Sequence, residues 1–420
     1  MKVLMLTWEF PPYYTGGLGT ACKGMVRALL AGKGIVIYLF LPSEKPAFFV
    51  FTRPEDTERL KPISLSVDKG IKEQPERPEV FTGYYNPELR NRDKLPAARP
   101  QGQSEEISSL ADAIQSALVG DEPIFRMARM YSQMLRSHGM KLDYDVVHAH
   151  DWVTFPAAVS LGASSGKPVI LHIHSTEYDR AVGRGDARIH RIEELGLRAA
   201  DRVIAVSKRT RRQLIRNYRG IDGEKISVVY NGIESGEWKR SGRADRNPVV
   251  VFLGRLERQK APDYFIETAR LVGKEIAGVK FVVAGQGSEE GRLRQVSGGV
   301  SFTGFLNRER VRELLARSDI LLLPSRREPF GLVALEAMAA GVVPVVPANS
   351  GVAEILRNAI KTEMKNPGET ARIIIGLLKE PDKLAELRGK CIEEAGEHEW
   401  SRRVGKIVRV YREEIDRMRR

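Results

Sequence analysis

Two glutamates eight residues apart, Glu328 and Glu336, flank a Pro-Phe-Gly junction in the segment 324–341, PSRREPFGLVALEAMAAG. A polar loop there turns into an apolar helix, whose start leaves backbone N–H groups at Gly331, Leu332 and Val333 without intrahelical acceptors. Such an end attracts phosphate, because the free amides and the helix dipole both favour negative charge. Glu336 lies about 7 to 8 Å further along the axis, near the separation of a nucleotide's diphosphate from its ribose hydroxyls. Glu328, in the loop, is free to face something else. For either glutamate alone, a solvated acid is the ordinary reading. The company these residues keep favours chemistry.

Two further stretches place chemistry-bearing residues in strand-to-helix loops. Residues 254–260, Gly-Arg-Leu-Glu-Arg-Gln-Lys, follow the apolar run 249–253 and set two cations, Arg255 and Lys260, five residues apart. Residues 15–19, Thr-Gly-Gly-Leu-Gly, follow the opening apolar run 3–6. Glycine lets backbone come within bonding distance of a ligand, because no Cβ intervenes. Alone, a Gly-Gly loop or an Arg-x4-Lys pair says little. In this order and context the three stretches resemble the retaining glycosyltransferases of the two-domain GT-B fold. The match is closest to glycosyltransferase family four and its glycogen- and starch-synthase-like relatives.

The resemblance implies a site for a UDP- or ADP-linked sugar, with no resident cofactor. Arg255 and Lys260 would hold the diphosphate, and Gly16 and Gly17 would approach the same donor from the N-terminal domain. Phe330, Gly331, Leu332 and Val333 would line the donor site, with Glu336 on the ribose and Glu328 on hydroxyls of the sugar. The family has a histidine beside the donor sugar at the end of a first-domain strand, and His174 is the match. His174, Arg255, Lys260 and Glu328 form the expected catalytic set, and Asp151 is assigned to the acceptor side. The reaction implied is retaining transfer of a hexosyl group by same-face attack. The opening Trp8-Glu9-Phe10-Pro11-Pro12 and the stretch 172–179, HIHSTEYD, look most like synthase-type members acting on glucans, which favours glucosyl transfer. An α-glucan, a lipid-linked sugar and a small sugar or polyol all stay open as acceptors. The chain departs from glycogen synthases proper at Tyr14 and Thr20, where they carry Lys and Asp. It departs from the family again at residues 361–365, Lys-Thr-Glu-Met-Lys, where a Gly-Leu-Leu-Val-like strand is usual.

The elements that must position these residues read as alternating apolar runs and longer helical stretches, the pattern of parallel sheets covered on both faces. First-half strands are expected at 3–6, 35–41, 146–148, 169–173, 203–206 and 227–229. Second-half strands are expected at 249–253, 280–284, 301–302, 320–323 and 343–346. The fold class is α/β, with two doubly wound Rossmann-like domains at 1–238 and 239–400, the polar run 235–247 as linker, and a final helix, 401–420, crossing back. Residues 43–120 mix prolines, charges and short aromatic patches, and an extra hairpin or an acceptor-side loop both fit them. A chain of 420 residues exceeds one comfortable core. Cys22 and Cys391, far apart and outside any metal-type spacing, point to a reducing cytoplasm, and no apolar run is long enough to cross a bilayer. The formal charge of +13 admits anionic substrates. Arginines crowd helix ends without interleaved aromatics, so solvated surface is preferred over nucleic acid, and an anionic membrane is the lesser reading.

Ligands of open parallel sheets sit at the carboxyl ends of strands, where two His-x-His pairs also fall, His148/His150 and His172/His174. Alternate strand residues share a face, so each pair aims both rings the same way. With Asp151 they suggest a metal-dependent hydrolase, although structural zinc sites usually recruit cysteine. Asp143-Tyr144-Asp145 imitates a cation-binding acid pair but stands at a strand's start and reads as a turn. No other carboxylate cluster offers oxygen ligands for a divalent cation, so metal-independent transfer is expected. A sugar-nucleotide epimerase of the same fold and a non-catalytic sugar- or nucleotide-binding protein are the other readings. A dinucleotide oxidoreductase is not, because 16–19 lacks the Gly-x-Gly-x-x-Gly spacing.

Overall fold

A computed structural model describes residues 1–11, 16–32, 34–41, 47–51, 53–58, 62–63, 101–138, 142–238 and 247–420. Tyr14, Thr15 and most of the expected linker lie outside the described residues. Eight strands form the first sheet: β1 (Lys2–Leu6), β2 (Val36–Leu41), β3 (Ala47–Phe51), β4 (Pro62–Ile63), β5 (Val146–His150), β6 (Val169–Ile173), β7 (Arg202–Ala205) and β8 (Ile226–Val228). Their order is β4-β3-β2-β1-β5-β6-β7-β8. The pairs from β2 to β8 are parallel, and β3 and β4 add an antiparallel edge. Six strands form the second: β9 (Val249–Leu253), β10 (Lys280–Ala284), β11 (Ser301–Gly304), β12 (Ile320–Leu322), β13 (Val343–Pro347) and β14 (Ile360–Thr362). This sheet is wholly parallel, in the order β11-β10-β9-β12-β13-β14. The fold is the expected GT-B pair of doubly wound domains.

Alternation along β1 shows why such strands are apolar throughout. Val3 and Met5 enter the core under one face, Leu4 and Leu6 the core under the other. The helix Trp400–Arg419 closes the first of these faces, burying Trp400, Val404, Ile407, Val410 and Tyr411 beside Cys22 and Met25 of the helix Gly17–Ala31. Gly24 makes the close approach feasible, since a Cβ there would lie 2.3 Å from the Trp400 indole nitrogen.

Three sequence readings take definite form. The 361–365 stretch does contain a strand: β14 pairs with β13 as an edge strand, and its polar Lys361 points to solvent. The 43–120 region supplies the hairpin reading, as the antiparallel β3/β4 edge, together with the helix Gln101–Ser116, while residues 64–100 lie outside the described part. Among the arginines at helix ends, Arg209 is tied down, pairing at 2.9 Å with the fully buried Asp179.

Candidate active site

In each sheet the chain winds outward in one direction and then returns to continue on the other side, which opens a crevice between two neighbouring strands. In the first sheet the crevice lies between β1 and β5, in the second between β9 and β12. The loops leaving β1, β5, β9 and β12 carry Gly16–Gly17, Asp151, Arg255–Lys260 and Glu328–Gly331 respectively. Topology thus gathers residues scattered over most of the chain.

The second crevice is the better built. Lys260 Nζ donates to Glu328 Oε2 at 2.6 Å, and Ser325 Oγ donates to the same oxygen at 2.8 Å. Gln259 ties the two loops together: its Nε2 donates to Arg327 O at 3.0 Å, and its carbonyl accepts from Arg326 N at 2.9 Å. Glu328 is 4 % exposed, so this carboxylate is held, not solvated. Gly331 follows at φ 104, a left-handed conformation that favours glycine, and starts the helix Leu332–Ala339. Arg255, exposed at the end of β9, follows Gly254, where an added Cβ would come within 3.8 Å of the Lys260 stem. Cation, acid and helix start are therefore contiguous.

Gly351 fixes the height of that loop. Its N–H donates to Glu328 O at 3.1 Å, and a Cβ there would lie 1.9 Å from Pro329 O. Gly351→Ala should consequently lower stability by about 1–3 kcal/mol and kcat/KM by more than tenfold, read by thermal denaturation and kinetics. Unchanged activity would mean that the loop's position does not matter to the reaction.

Across the interface, Gly17 opens the helix Gly17–Ala31, and a Cβ on it would meet nothing within 4 Å. Leu332 packs against both domain cores, the first of them also flanked by Leu18. Thr20 and Gly24 line a small pocket together with Leu332, Glu336 and Arg308. Ser207 Oγ donates to Pro329 O at 2.7 Å, and Glu354 accepts from Lys208 N and Arg209 N at 2.8 and 2.6 Å. The first turns of the two helices thus meet at one domain interface, with Thr20 and Leu332 on the same small pocket.

Glu336 reaches that pocket, but not as a free acid. Arg308 Nη1 donates to its Oε1 at 2.9 Å, and Arg308 Nη2 donates to Glu237 Oε2 at 3.1 Å, with the guanidinium 5.0 Å from the Trp238 ring. Burial pushes the Glu336 carboxyl up and Arg308 opposes the shift. Phe330, expected among the donor contacts, packs in the second-domain core at 3 % exposure. Val333 is half-buried in the first helical turn.

The four histidines tile one face of β5 and β6, as alternation predicts, with His150 directly opposite His172. His150 Nδ1 lies 3.0 Å from His174 Nε2, His172 Nδ1 lies 3.3 Å from His148 Nε2, and the Tyr411 hydroxyl lies 2.6 Å from His148 Nδ1. Burial depresses all four: His148 and His174 go down to about 3, and His150 and His172 fall well below the ordinary imidazole range. Asp151, at φ 58, accepts from His174 N at 2.8 Å and from Ser175 N at 3.3 Å. It therefore braces the backbone of His174, and burial pushes its carboxyl up to about 7 against the pull of Arg180. Asp143 and Asp145 stay at the opposite end of β5, on Lys2, as the turn reading requires.

Sequence reasoning missed four residues of this region. Arg308 carried no motif. Gly285 and Gly287 seat the loop after β10 against the loop after β9: a Cβ on either would strike the backbone of Gly254 or Leu256 at 1.9 to 2.4 Å. Phe305, 55 % exposed just past β11, is a flat apolar surface beside these loops, and an aromatic directly after a strand and its glycine was the available signal.

Comparison with known proteins agrees with this architecture. Residues 15–237 match the family described as Glycosyltransferase Family 4, and residues 235–398 match Glycosyl transferases group 1. An uncharacterized glycosyltransferase of Methanocaldococcus jannaschii is 29 % identical over 400 residues, covering 88 % of this chain and 87 % of its own. The glycogen synthase of Mycobacterium tuberculosis is 28 % identical over 364 residues, covering 84 % and 78 %. Sucrose-phosphate synthase from Thermosynechococcus elongatus superposes with a TM-score of 0.70 over 98 % of both chains, at 16 % identity. A family match spanning more than half the chain, joined to this fold and this cleft, makes the protein a member of glycosyltransferase family 4.

Proposed function

We propose that the protein is a retaining hexosyltransferase that needs no metal ion and moves a glucosyl group from a UDP- or ADP-sugar to a carbohydrate acceptor, an α-glucan by preference. The observation that carries this reading is the Lys260–Glu328 pair at 2.6 Å, set beside the helix start at Gly331 and at the interface with the first domain. A departing diphosphate there meets Lys260, Arg255 and the amides of the Gly331–Val333 turn, groups that answer its charge without a cation. Glu328, already buried and oriented by Ser325, is placed to accept from hydroxyls of the sugar as the glycosidic bond weakens. Glu336 bonds the ribose on the far side of the first turn, with Arg308 holding its carboxylate in place. His174 borders the sugar from the first domain, and closure of the two domains excludes water.

Retention follows from same-face attack, in which the departing phosphate takes the acceptor's proton. Glu328 is not given the part of a double-displacement nucleophile, since same-face attack has no covalent glycosyl-enzyme step for it to perform. A matrix of nucleotide sugars against acceptors, read by nucleotide release in chelator and by the anomeric configuration of the product, tests the whole reading. Nucleotide release with an α-linked elongated acceptor is expected. An epimerised nucleotide sugar with no elongated acceptor, or turnover that vanishes in chelator, would displace it.

Phe305 supplies a further expectation. Stacking of a base on an exposed ring contributes about 1–3 kcal/mol, so Phe305→Ala should weaken nucleoside diphosphate binding by about tenfold with little change in melting temperature. Equal affinity by calorimetry would place the base elsewhere.

A further inference from the structure

The bond between His150 and His174 has a direction, and burial decides it. Both rings are neutral, so one proton lies between His150 Nδ1 and His174 Nε2 at their 3.0 Å separation. If His174 supplied it, the proton of His150 would sit on Nε2, an atom that is fully buried with no partner among the described groups. A buried N–H with nothing to donate to costs about 1–3 kcal/mol, and orphaned donors are rarer in proteins than under-used acceptors. The cheaper arrangement puts the proton of His150 on Nδ1 and leaves its Nε2 as a bare lone pair.

We infer that His150 is a positioning residue: it donates to His174 Nε2 and thereby holds His174 in the Nδ1–H tautomer, so that His174 presents a hydrogen-bond donor to its ligand. The inference rests on the reading of His174 as a residue that borders the sugar, and it extends that reading to a partner the sequence did not assign. Two restraints act on the same residue from β5. Asp151 fixes the His174 backbone through its amide, and His150 fixes the ring. Behind them, the rings of His148 and His172 lie 5.3 Å apart, nearly parallel, and the hydroxyl of Tyr411 anchors His148 to the C-terminal helix. His174 is the only half-buried member of the four. The array is a rigid polar block that ends at the cleft.

The same rings supply two groups of ligand-competent atoms within 4.8 Å of one another, Cys22–His150–His174 and His148–His150–His172. A divalent ion held there would break the His–His bonds. Neither group contains a carboxylate, and the one ligand that could supply negative charge, the Cys22 thiolate, is itself disfavoured by burial. Positioning is therefore the reading the geometry favours, and metal is an outcome the test must exclude.

The test has a spectroscopic arm and a kinetic arm. Histidine-selective 15N labelling of the wild-type protein, with His174 assigned by comparison with His174→Gln, should show Nδ1 protonated and Nε2 bare. His150→Leu removes the donor, whereas His150→Asn places an amide N–H near the position of Nδ1. In His150→Leu, kcat should fall tenfold or more with KM changed less than threefold, and His174 should become a tautomer mixture. In His150→Asn, the tautomer and most of the turnover should return. An Nε2–H tautomer in the wild type, equal behaviour of the two His150 variants, or stoichiometric zinc, copper or nickel in the purified protein overturns the inference. Should His150→Leu not fold, the wild-type tautomer and metal content still decide. Undiminished turnover in His174→Ala would dispose of the role of His174 in transfer, and the tautomer measurement would stand apart from it.

Discussion

Glu328→Gln is expected to lower kcat by about a hundredfold to a thousandfold while leaving the protein folded. The substitution keeps the shape of the side chain and an acceptor for Ser325, and removes only the charge that faces Lys260. Lys260 can lose its partner at little cost, since its side chain remains 20 % exposed. Lys260→Ala should remove turnover as thoroughly, by withdrawing a cation from the departing diphosphate, but its effect on the fold differs. It strands Glu328, whose side chain is 5 % exposed, without a counter-charge, and breaking a buried pair from one side costs about 3–5 kcal/mol. The double variant Lys260→Ala/Glu328→Gln should therefore be more stable than Lys260→Ala alone, and equally inactive. Denaturant titration of the four proteins of this cycle, with kinetics on each, separates the two roles. Near wild-type turnover in both single variants would take the pair out of the chemistry altogether.

The second large effect is on stability in acid. The histidines of β5 and β6 have depressed folded-state pKa values, so what they contribute is present above the ordinary imidazole value of 6.5 and is lost as pH falls from there toward 3. The unfolded chain takes up protons that the folded rings refuse. Each fully buried ring removes roughly 1 kcal/mol per pH unit over that range, and the group on the order of 5 kcal/mol by pH 5, a large share of the stability of most domains. Asp151 acts in the opposite sense. Its folded pKa is raised to about 7, so its contribution is present at low pH and is lost as pH rises from the ordinary carboxyl value through about 7. Melting temperature should consequently fall steeply between pH 6.5 and pH 5, with several protons bound on unfolding. A flat melting temperature over that interval would mean that the rings are not neutral in the folded core.

Much of this was legible in the sequence, for physical reasons that vary by element. Strands β1, β9, β12 and β13 are buried on both faces, so they read as nearly continuous apolar runs, as do β5 and β6 but for their histidines. Edge strand β14 did not, because Lys361 faces solvent and the run looks polar. The grouping of His148, His150, His172 and His174 followed from alternation and adjacency alone. Their link to Tyr411 did not, being a contact across 263 residues that no local pattern encodes. The same holds for the donor side. Lys260 and Glu328 were each recognisable in their loops, but their direct pairing across 68 residues depends on β9 and β12 lying side by side. Arg308 sits at the start of an ordinary charged helix, and only the fold reveals that it holds Glu336. Phe330 shows the converse: adjacency to a motif says nothing of its packing in the second-domain core, which only the fold reveals.

The claim on which all else depends is that a diphosphate is received by Lys260, Arg255 and the Gly331 helix start without the help of a cation. Titration calorimetry of UDP and of ADP in excess chelator, on the wild-type protein and on Lys260→Ala, measures this directly. The account predicts saturable binding of at least one nucleotide in chelator, unchanged by added magnesium or manganese, and weakened tenfold or more by Lys260→Ala. Binding that appears only when a divalent ion is supplied, or that Lys260→Ala leaves intact, would contradict it.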